Sequence, residues 1–396
     1  MRISWEQACA ARLERHALAH PLGDATPAQV AARVCGAHAQ VMTAAEWSIG
    51  QRLAAVTRAD VHAALWQERS LVKTFGPRGT VHLLPAADLA LWTSALSALR
   101  RPNTGPASTF LTDDQTESVL DAIRLALETA ELTVDELGEA VVGHCGSWAG
   151  DEVVPAFTGM WPRWRQALTF AAARGVLCFG PDRDRKVTYT SPRRWLRGFE
   201  PTTAPAGAES GKRFDWHEAL GWLVAQYLSA YGPATADDFA RWVGASPRLA
   251  ADVFAAHADR LQEVELAGTR AWLPAGPWGT PDRPRGIRLL PYFDAYVVGG
   301  RPRGRLFPGV ATERALVGGK VGGQAGTKPV LMADGVVAGL WHQRRAGRKL
   351  EITVESFGDL TASQHRELKD QVERLGEFHG CAVGLTLGPV AARSHL

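Results

Sequence analysis

His38 and Gln40 sit one residue apart in "GAHAQVMTAAE", and together they have the chemistry to manage one water molecule. An imidazole accepts a proton near neutral pH, and a carboxamide oxygen can hold and aim an O–H. Spacing decides whether they can act as a pair. On a helix, residues i and i+2 point about 200° apart, whereas in extended backbone alternate residues face one way. Gly36 is expected to end the preceding helix and Thr43 to cap the next, which leaves the pair in a non-helical connector. The plainer alternative is that both side chains bond to neighbouring backbone.

The other chemical signals are thinner. "VGGKVGGQAGTK", residues 317–328, invites a phosphate-loop reading, but its Gly-Lys pair is followed by Val321 and no Gly lies five residues before Gly319. It reads as a surface loop whose Lys320 and Lys328 can touch a phosphate backbone. There is no G-x-S-x-G, H-E-x-x-H or paired His-Cys cluster. The 5 cysteines are scattered and never form C-x-x-C, which argues against a disulfide framework, a zinc ribbon and a four-Cys iron–sulfur cluster. No metal or cofactor is expected. Asp294, inside the apolar strand expected at "LLPYFDAYVV", either stabilises positive charge or bonds to His38, or is a hydrogen-bonded structural acid. His82 in "GTVHLLP" reads as structural.

Basic turns are more numerous. "GPRG" carries Arg78; "PDRDRK" carries Arg183, Arg185 and Lys186; "RPRGR" carries Arg301, Arg303 and Arg305; "RRAGRK" spans residues 344–349. Each alone reads as a solvated tip between strands. As a set they suggest turns that straddle a duplex through its phosphates. The overall balance is only +3, with 46% hydrophobic and 21% charged residues, so any nucleic-acid surface must be local. The 14 tryptophans suggest indoles at grooves or module interfaces. The first twenty residues lack an apolar signal region and no stretch approaches a membrane span, so a cytoplasmic protein with free thiols and no membrane partner is expected.

The elements that must position these residues form one unit used three times. "TVDELGEAVV" opens with Thr133 and Glu136 as a capping box. A helix follows over residues 162–174, then a hairpin in "GVLCFGPDRDRKVTYT". From Thr235, 102 residues further on, "TADDFARWVG" repeats the pattern; Pro247 starts the next helix and "LQEVELAGTRAWLP" closes with a hairpin. The N-terminal region fits the same outline: a helix over 27–35, the connector, a helix over 44–56 capped by Thr43 with Glu46, a Thr57-capped helix over 58–68, and a wing in "LVKTFGPRGTVHLLP". After Gly286, "IRLLPYFDAYVVGG", "KPVLMADGVVAGLWHQ" and "RKLEITVESF" read as strands, with Asp334-Gly335 a type I′ turn and a helix over 362–376. The fold class is α+β: three tandem winged helices with a C-terminal antiparallel sheet or barrel. The expected modules are 1–100, 101–198, 214–280 and 281–396, with a linker at 199–213 in "FEPTTAPAGAESGKR".

Four stretches, "VCGAHAQVMTAAEWSIGQRL", "LVKTFGPRGTVHLLPAADLALW", "YGPATADDFARWVG" and "IRLLPYFDAYVVGGR", together resemble the AlkZ-like family of tandem winged-helix DNA glycosylases. The resemblance covers most of the chain in order. It implies a C-shaped clamp on double-stranded DNA and a catalytic Q-x-Q or Q-x-D motif in the connector. Gln40 matches the second position of that motif; His38 departs from the first and resembles an H-x-Q subgroup linked to self-resistance against bulky DNA-alkylating natural products. What the resemblance implies is a monomeric, monofunctional glycosylase that releases N7- or N3-alkylated purines, with no Schiff-base lysine. A non-catalytic transcriptional regulator and a lesion- or drug-binding resistance protein remain the alternatives.

Overall fold

The computed structural model describes residues 1–99, 110–156, 159–200, 216–279 and 283–391. The chain divides into two compact units, Met1–Ala64 with Val224–Leu396, and Leu65–Leu223. The division falls inside the helix Arg58–Trp66, so the helices and the hairpin of the first winged helix are assigned to different units. The expected linker lies outside the described residues from 201 onward.

In the Leu65–Leu223 unit, the second winged helix is complete. Helices Asp113–Thr129 and Val134–Cys145 both start on capping boxes, Thr112 with Gln115 and Thr133 with Glu136. The third helix differs from expectation. Pro162 ends a strand, and a 3-10 turn Arg163–Ala167 leads into the short helix Leu168–Ala173. An additional hairpin, Glu152–Pro155 with Met160–Pro162, stands before it. The wing pairs Cys178–Phe179 with Thr188–Thr190, and Leu132–Thr133 adds a third short strand. Val119, Ile123, Leu137, Trp164 and Tyr189 form its core. The hairpin Leu71–Phe75 with Val81–Pro85 also belongs to this unit, and within it His82 is buried, its ring Nδ1 2.8 Å from the Thr80 carbonyl.

The division also falls inside the helix Trp216–Tyr231, and in the other unit, from Val224 onward, its remainder and the helices Ala236–Val243 and Pro247–Ala256 precede the hairpin Leu261–Leu266 with Thr269–Pro274. The N-terminal Arg2–Ile3 adds a parallel strand to it, which the sequence pattern does not announce. The C-terminal sheet is open and five-stranded, ordered Ile287–Leu290, Val330–Ala333, Val336–Ala346, Lys349–Ser356, Ala382–Leu387. It is not wholly antiparallel, because the last strand follows the helix Ala362–His379 and returns parallel to its neighbour. Asp334 and Gly335 both have positive φ, 49° and 83°, as a type I′ turn requires.

Two expectations for the C-terminal part need correction. The strand at "IRLLPYFDAYVVGG" stops at Leu290; Asp294 caps the short helix Ala295–Gly299 instead of lying in a strand. "RPRGR" is not a turn between strands either, since Arg303–Leu306 is a helical turn. Pro291 explains the first: it has no N–H to continue a ladder.

Candidate active site

The connector is shaped by how its preceding helix ends. Helix Pro27–Arg33 closes with Gly36 N–H on the Ala31 carbonyl at 2.8 Å and Cys35 N–H on Ala32 at 3.0 Å. That pair of bonds is a Schellman motif, and it is Cys35, at φ 58°, that takes the left-handed position assigned to Gly36 from sequence. The chain leaves extended through Ala37–His38. Tyr231 fixes this exit, donating its hydroxyl to the Val34 carbonyl at 3.0 Å.

The following helix, Met42–Gly50, starts earlier than expected and ends sooner. Its N-cap is Val41 and has no side-chain bond, so the Thr43–Glu46 capping box is corrected. Glu46 is fully buried and turns to the next helix, with Arg58 Nε at 2.5 Å and His62 Nε2 at 2.6 Å. Those two basic groups outcompete a backbone N–H for the carboxylate.

Within the connector His38 is buried and Gln40 exposed. The Gln40 backbone N–H donates to His38 Nδ1 at 3.4 Å, so for His38 the plainer alternative, a bond to neighbouring backbone, is realised in this structure. A nitrogen that accepts carries its lone pair, so this bond corresponds to the Nε2-protonated tautomer, with the basic Nδ1 facing the Gln40 side. At 3.4 Å the bond is long and easily yielded to a better donor such as water. The imidazole lies on the Phe293 ring, centroids 4.5 Å apart and planes 22° from parallel.

Beneath this stack is a buried polar network. Asp294, with no exposed surface, receives Arg52 in a two-pronged pair, Nη1 to Oδ2 and Nη2 to Oδ1, both at 2.8 Å. Ser48 Oγ donates to Oδ2 at 2.7 Å and the Tyr296 N–H to Oδ1 at 3.0 Å. Burial by itself raises the carboxyl pKa, but the charge and bonds of Arg52, helped by Ser48, more than offset it and hold Asp294 ionised, below the usual carboxylate range. Four donors fill its four lone-pair positions, so Asp294 has no free acceptor to offer His38 or a substrate. His16 lies nearby, edge-on to Tyr231 and Tyr296. Burial first, then the Arg52 charge, pulls its pKa down to about 3.

Two indoles lock the same region. Trp47 Nε1 donates to Leu289 O at 2.9 Å and Trp341 Nε1 to Leu290 O at 2.8 Å. Both serve carbonyls at the end of the strand that Pro291 interrupts. Sequence reasoning singled out none of Phe293, Arg52, Ser48 and Tyr231. The signal for Phe293 was its adjacency to Asp294; Arg52 has no local signal, since its partner lies 242 residues away.

The basic residues divide by exposure. Arg78, Arg183, Arg185, Lys186, Arg305 and Lys320 are exposed. Arg183 and Lys186 already pair with Glu136 and Asp135. Arg303 is buried and donates to the Val297 and Val298 carbonyls, which removes it from the candidate phosphate contacts. Arg301 is half-buried, its pKa lowered by burial. Lys328 is also half-buried and donates to the Arg314 carbonyl at 2.5 Å. Among the described residues no cluster of His, Cys, Asp or Glu is arranged to hold a metal, and no helix is long and apolar enough to cross a membrane.

Comparison with known proteins agrees with this architecture. The family model for DNA glycosylase AlkZ-like proteins matches residues 31–378. A curated relative from Streptomyces sahachiroi, named interstrand DNA cross-link repair glycosylase, is 32% identical over 351 residues, 86% of this chain and 88% of that protein. The solved structure of the Streptomyces sahachiroi DNA glycosylase AlkZ superposes with a TM-score of 0.76 at 28% identity, covering 98% of this chain and all of that one. The extent of these matches, on a winged-helix body with an open C-terminal sheet, establishes that the chain belongs to the AlkZ-like family and is a DNA glycosylase of DNA repair.

Proposed function

We propose that this glycosylase is monofunctional and hydrolyses the N-glycosidic bond of N7- or N3-alkylated purines, with bulky guanine adducts of a DNA-alkylating natural product as its substrates and self-resistance as its role. The observation that carries the reading is the His38–Gln40 pair itself, an imidazole lone pair turned toward the Gln40 side in a connector whose entry is fixed by Tyr231. Alkylation at N7 makes guanine a cationic leaving group, so no strong acid is required. What remains is to deliver water to C1′ and to stabilise an oxocarbenium-like sugar. His38 Nδ1 accepts the water proton while the Gln40 carbonyl oxygen aims the water and its dipole faces the developing charge. Asp294 contributes from below, as an anchor.

The curated relative's name supports a large lesion, because an interstrand cross-link is larger than a methyl group. A bulky adduct is hard to flip whole into a pocket, so the enzyme is proposed to attack it in the groove with little eversion. Arg78, Arg183, Arg185, Lys186, Arg305 and Lys320 are the proposed phosphate contacts of a monomer on duplex DNA.

Single-turnover base release tests this. One duplex carries 7-methylguanine, another a bulky intercalating N7-guanine adduct, and alkali reveals abasic sites. Wild type is expected to release base and to favour the bulky adduct; Gln40→Ala and His38→Ala are each expected to slow release about 10²- to 10³-fold with DNA affinity intact. The rate should fall on acidification as His38 is protonated. A flat profile, with chemistry rate-limiting and binding constant, removes His38 as the base. No release from either duplex removes N7-alkylated guanine, small or bulky, as the substrate of this glycosylase.

A further inference from the structure

Phe293 holds a backbone conformation that bulky side chains avoid. Its φ is 56°, in the left-handed region, which disfavours a non-glycine residue. Several contacts hold it there. Its N–H donates to the Gly326 carbonyl at 2.7 Å. A Cβ on Gly326 would stand 3.1 Å from Phe293 Cα and 2.8 Å from Val298 Cγ2, so only glycine lets this backbone approach so closely. On its other side Asp294 is bound to Ser48 and Arg52. Ser48 belongs to the helix that continues directly from the connector, and Arg52 follows just beyond its end.

These contacts close a loop through the fold. From His38 the chain runs through Gln40 into the Met42–Gly50 helix; Ser48 and Arg52 grip Asp294; Asp294 is joined to Phe293; and the Phe293 ring returns under His38. The last torsion of a histidine side chain is broad, so the plane of the ring is set by what packs against it. A near-parallel aromatic face at 4.5 Å narrows that torsion.

We propose that Phe293 is a positioning residue for base release, whose ring fixes the plane of His38 so that Nδ1 stays on the Gln40 side. The inference rests on the proposed roles of His38 and Gln40. The ring face also favours the positive charge His38 acquires once it has taken the water proton. Packing alone would not require a ring here, because a leucine would fill the space but offer His38 no flat face.

The test uses the full chain. Phe293→Leu is expected to slow single-turnover release 10- to 100-fold with unchanged DNA affinity, and Phe293→Tyr to stay within about twofold of wild type. In isotope-labelled-histidine spectra, the His38 ring resonances, identified by their loss in His38→Ala, should move in Phe293→Leu and stay in Phe293→Tyr. Gly326→Ala, which presses on the Phe293 backbone while leaving its ring present, should slow release and displace the same resonances; it gives an independent reading should Phe293→Leu fold poorly. Wild-type release by Phe293→Leu overturns the proposal, and so does a loss that Phe293→Tyr fails to restore. Release that survives His38→Ala instead overturns the reading of the connector, and this inference with it, through a different variant.

Discussion

The Asp294 network and the wing of the second winged helix both join acids to basic side chains, yet they belong to different physical regimes. Arg52 and Asp294 are wholly buried, locked in two parallel bonds, and surrounded by Ser48, Tyr296 and a neutral His16. Arg183 and Lys186 meet Glu136 and Asp135 with about half of each side chain in water. Removing one partner of a buried pair strands a charge, typically at about 3–5 kcal/mol, whereas an exposed pair contributes about 0–1 kcal/mol and is screened by salt. The buried pair can therefore fix geometry but cannot be exchanged. The wing pairs fix little, which suits the phosphate contacts proposed for them. An anchor and an exchangeable pair are built from the same residue types; water decides which is which.

The widest test of this contrast is acid. His16 titrates at about 3 in the folded chain and near 6.5 when unfolded, so its stabilising contribution is complete above about pH 6.5 and is lost progressively as pH falls toward 3, by up to about 5 kcal/mol. Asp294, whose folded pKa is lowered, adds a loss of the same sign once pH falls below the ordinary carboxylate range. Melting of the wild type between pH 7 and 4 should show the decline, and His16→Phe, which keeps a ring between Tyr231 and Tyr296, should flatten it. A parallel decline in both proteins would mean that the buried region does not act through His16. Next in size, Arg52→Met is expected to destabilise the chain by about 3–5 kcal/mol in denaturant unfolding and to slow base release by displacing Phe293. A destabilisation below about 1 kcal/mol would place this pair with the wing. Smallest of all, Arg183→Ala with Lys186→Ala should leave the unfolding midpoint essentially unchanged, while DNA affinity falls and its logarithmic salt slope drops by about one for each phosphate no longer neutralised. An unchanged salt slope would make the wing tip an internal ion-pair site and nothing more.

What was legible in the sequence had local causes. Thr133 with Glu136, Thr235 with Asp238 and the Asp334-Gly335 turn each act within a few residues, and each is present. The same logic failed at Thr43 with Glu46, where the carboxylate found Arg58 and His62 instead. A capping box is an offer that a nearby basic group can outbid, and one-dimensional spacing does not reveal that group. The connector was legible because Gly36 and Thr43 bracket it, even though Cys35 takes the left-handed position and Thr43 caps nothing. Arg303 read as a phosphate contact because arginine in a Gly/Pro-rich segment is ordinarily exposed; here it satisfies the carbonyls of Val297 and Val298. The floor under His38 was out of reach altogether. Phe293, Arg52 and Gly326 come together only through tertiary packing, and no periodicity in the chain marks them as partners.

The loop that runs through His38, Arg52, Asp294 and Phe293 also sets a clock. The N-terminal helices emerge from the ribosome early, but Gly326, which seats Phe293, follows His38 by roughly 290 residues, or about 15 to 60 s at ordinary elongation rates. Until then the imidazole has no floor. On the proposed mechanism a nascent chain that already carries the whole H-x-Q motif cannot yet aim a water, so an enzyme that strips bases from DNA is not armed until Gly326 has been made and seats Phe293.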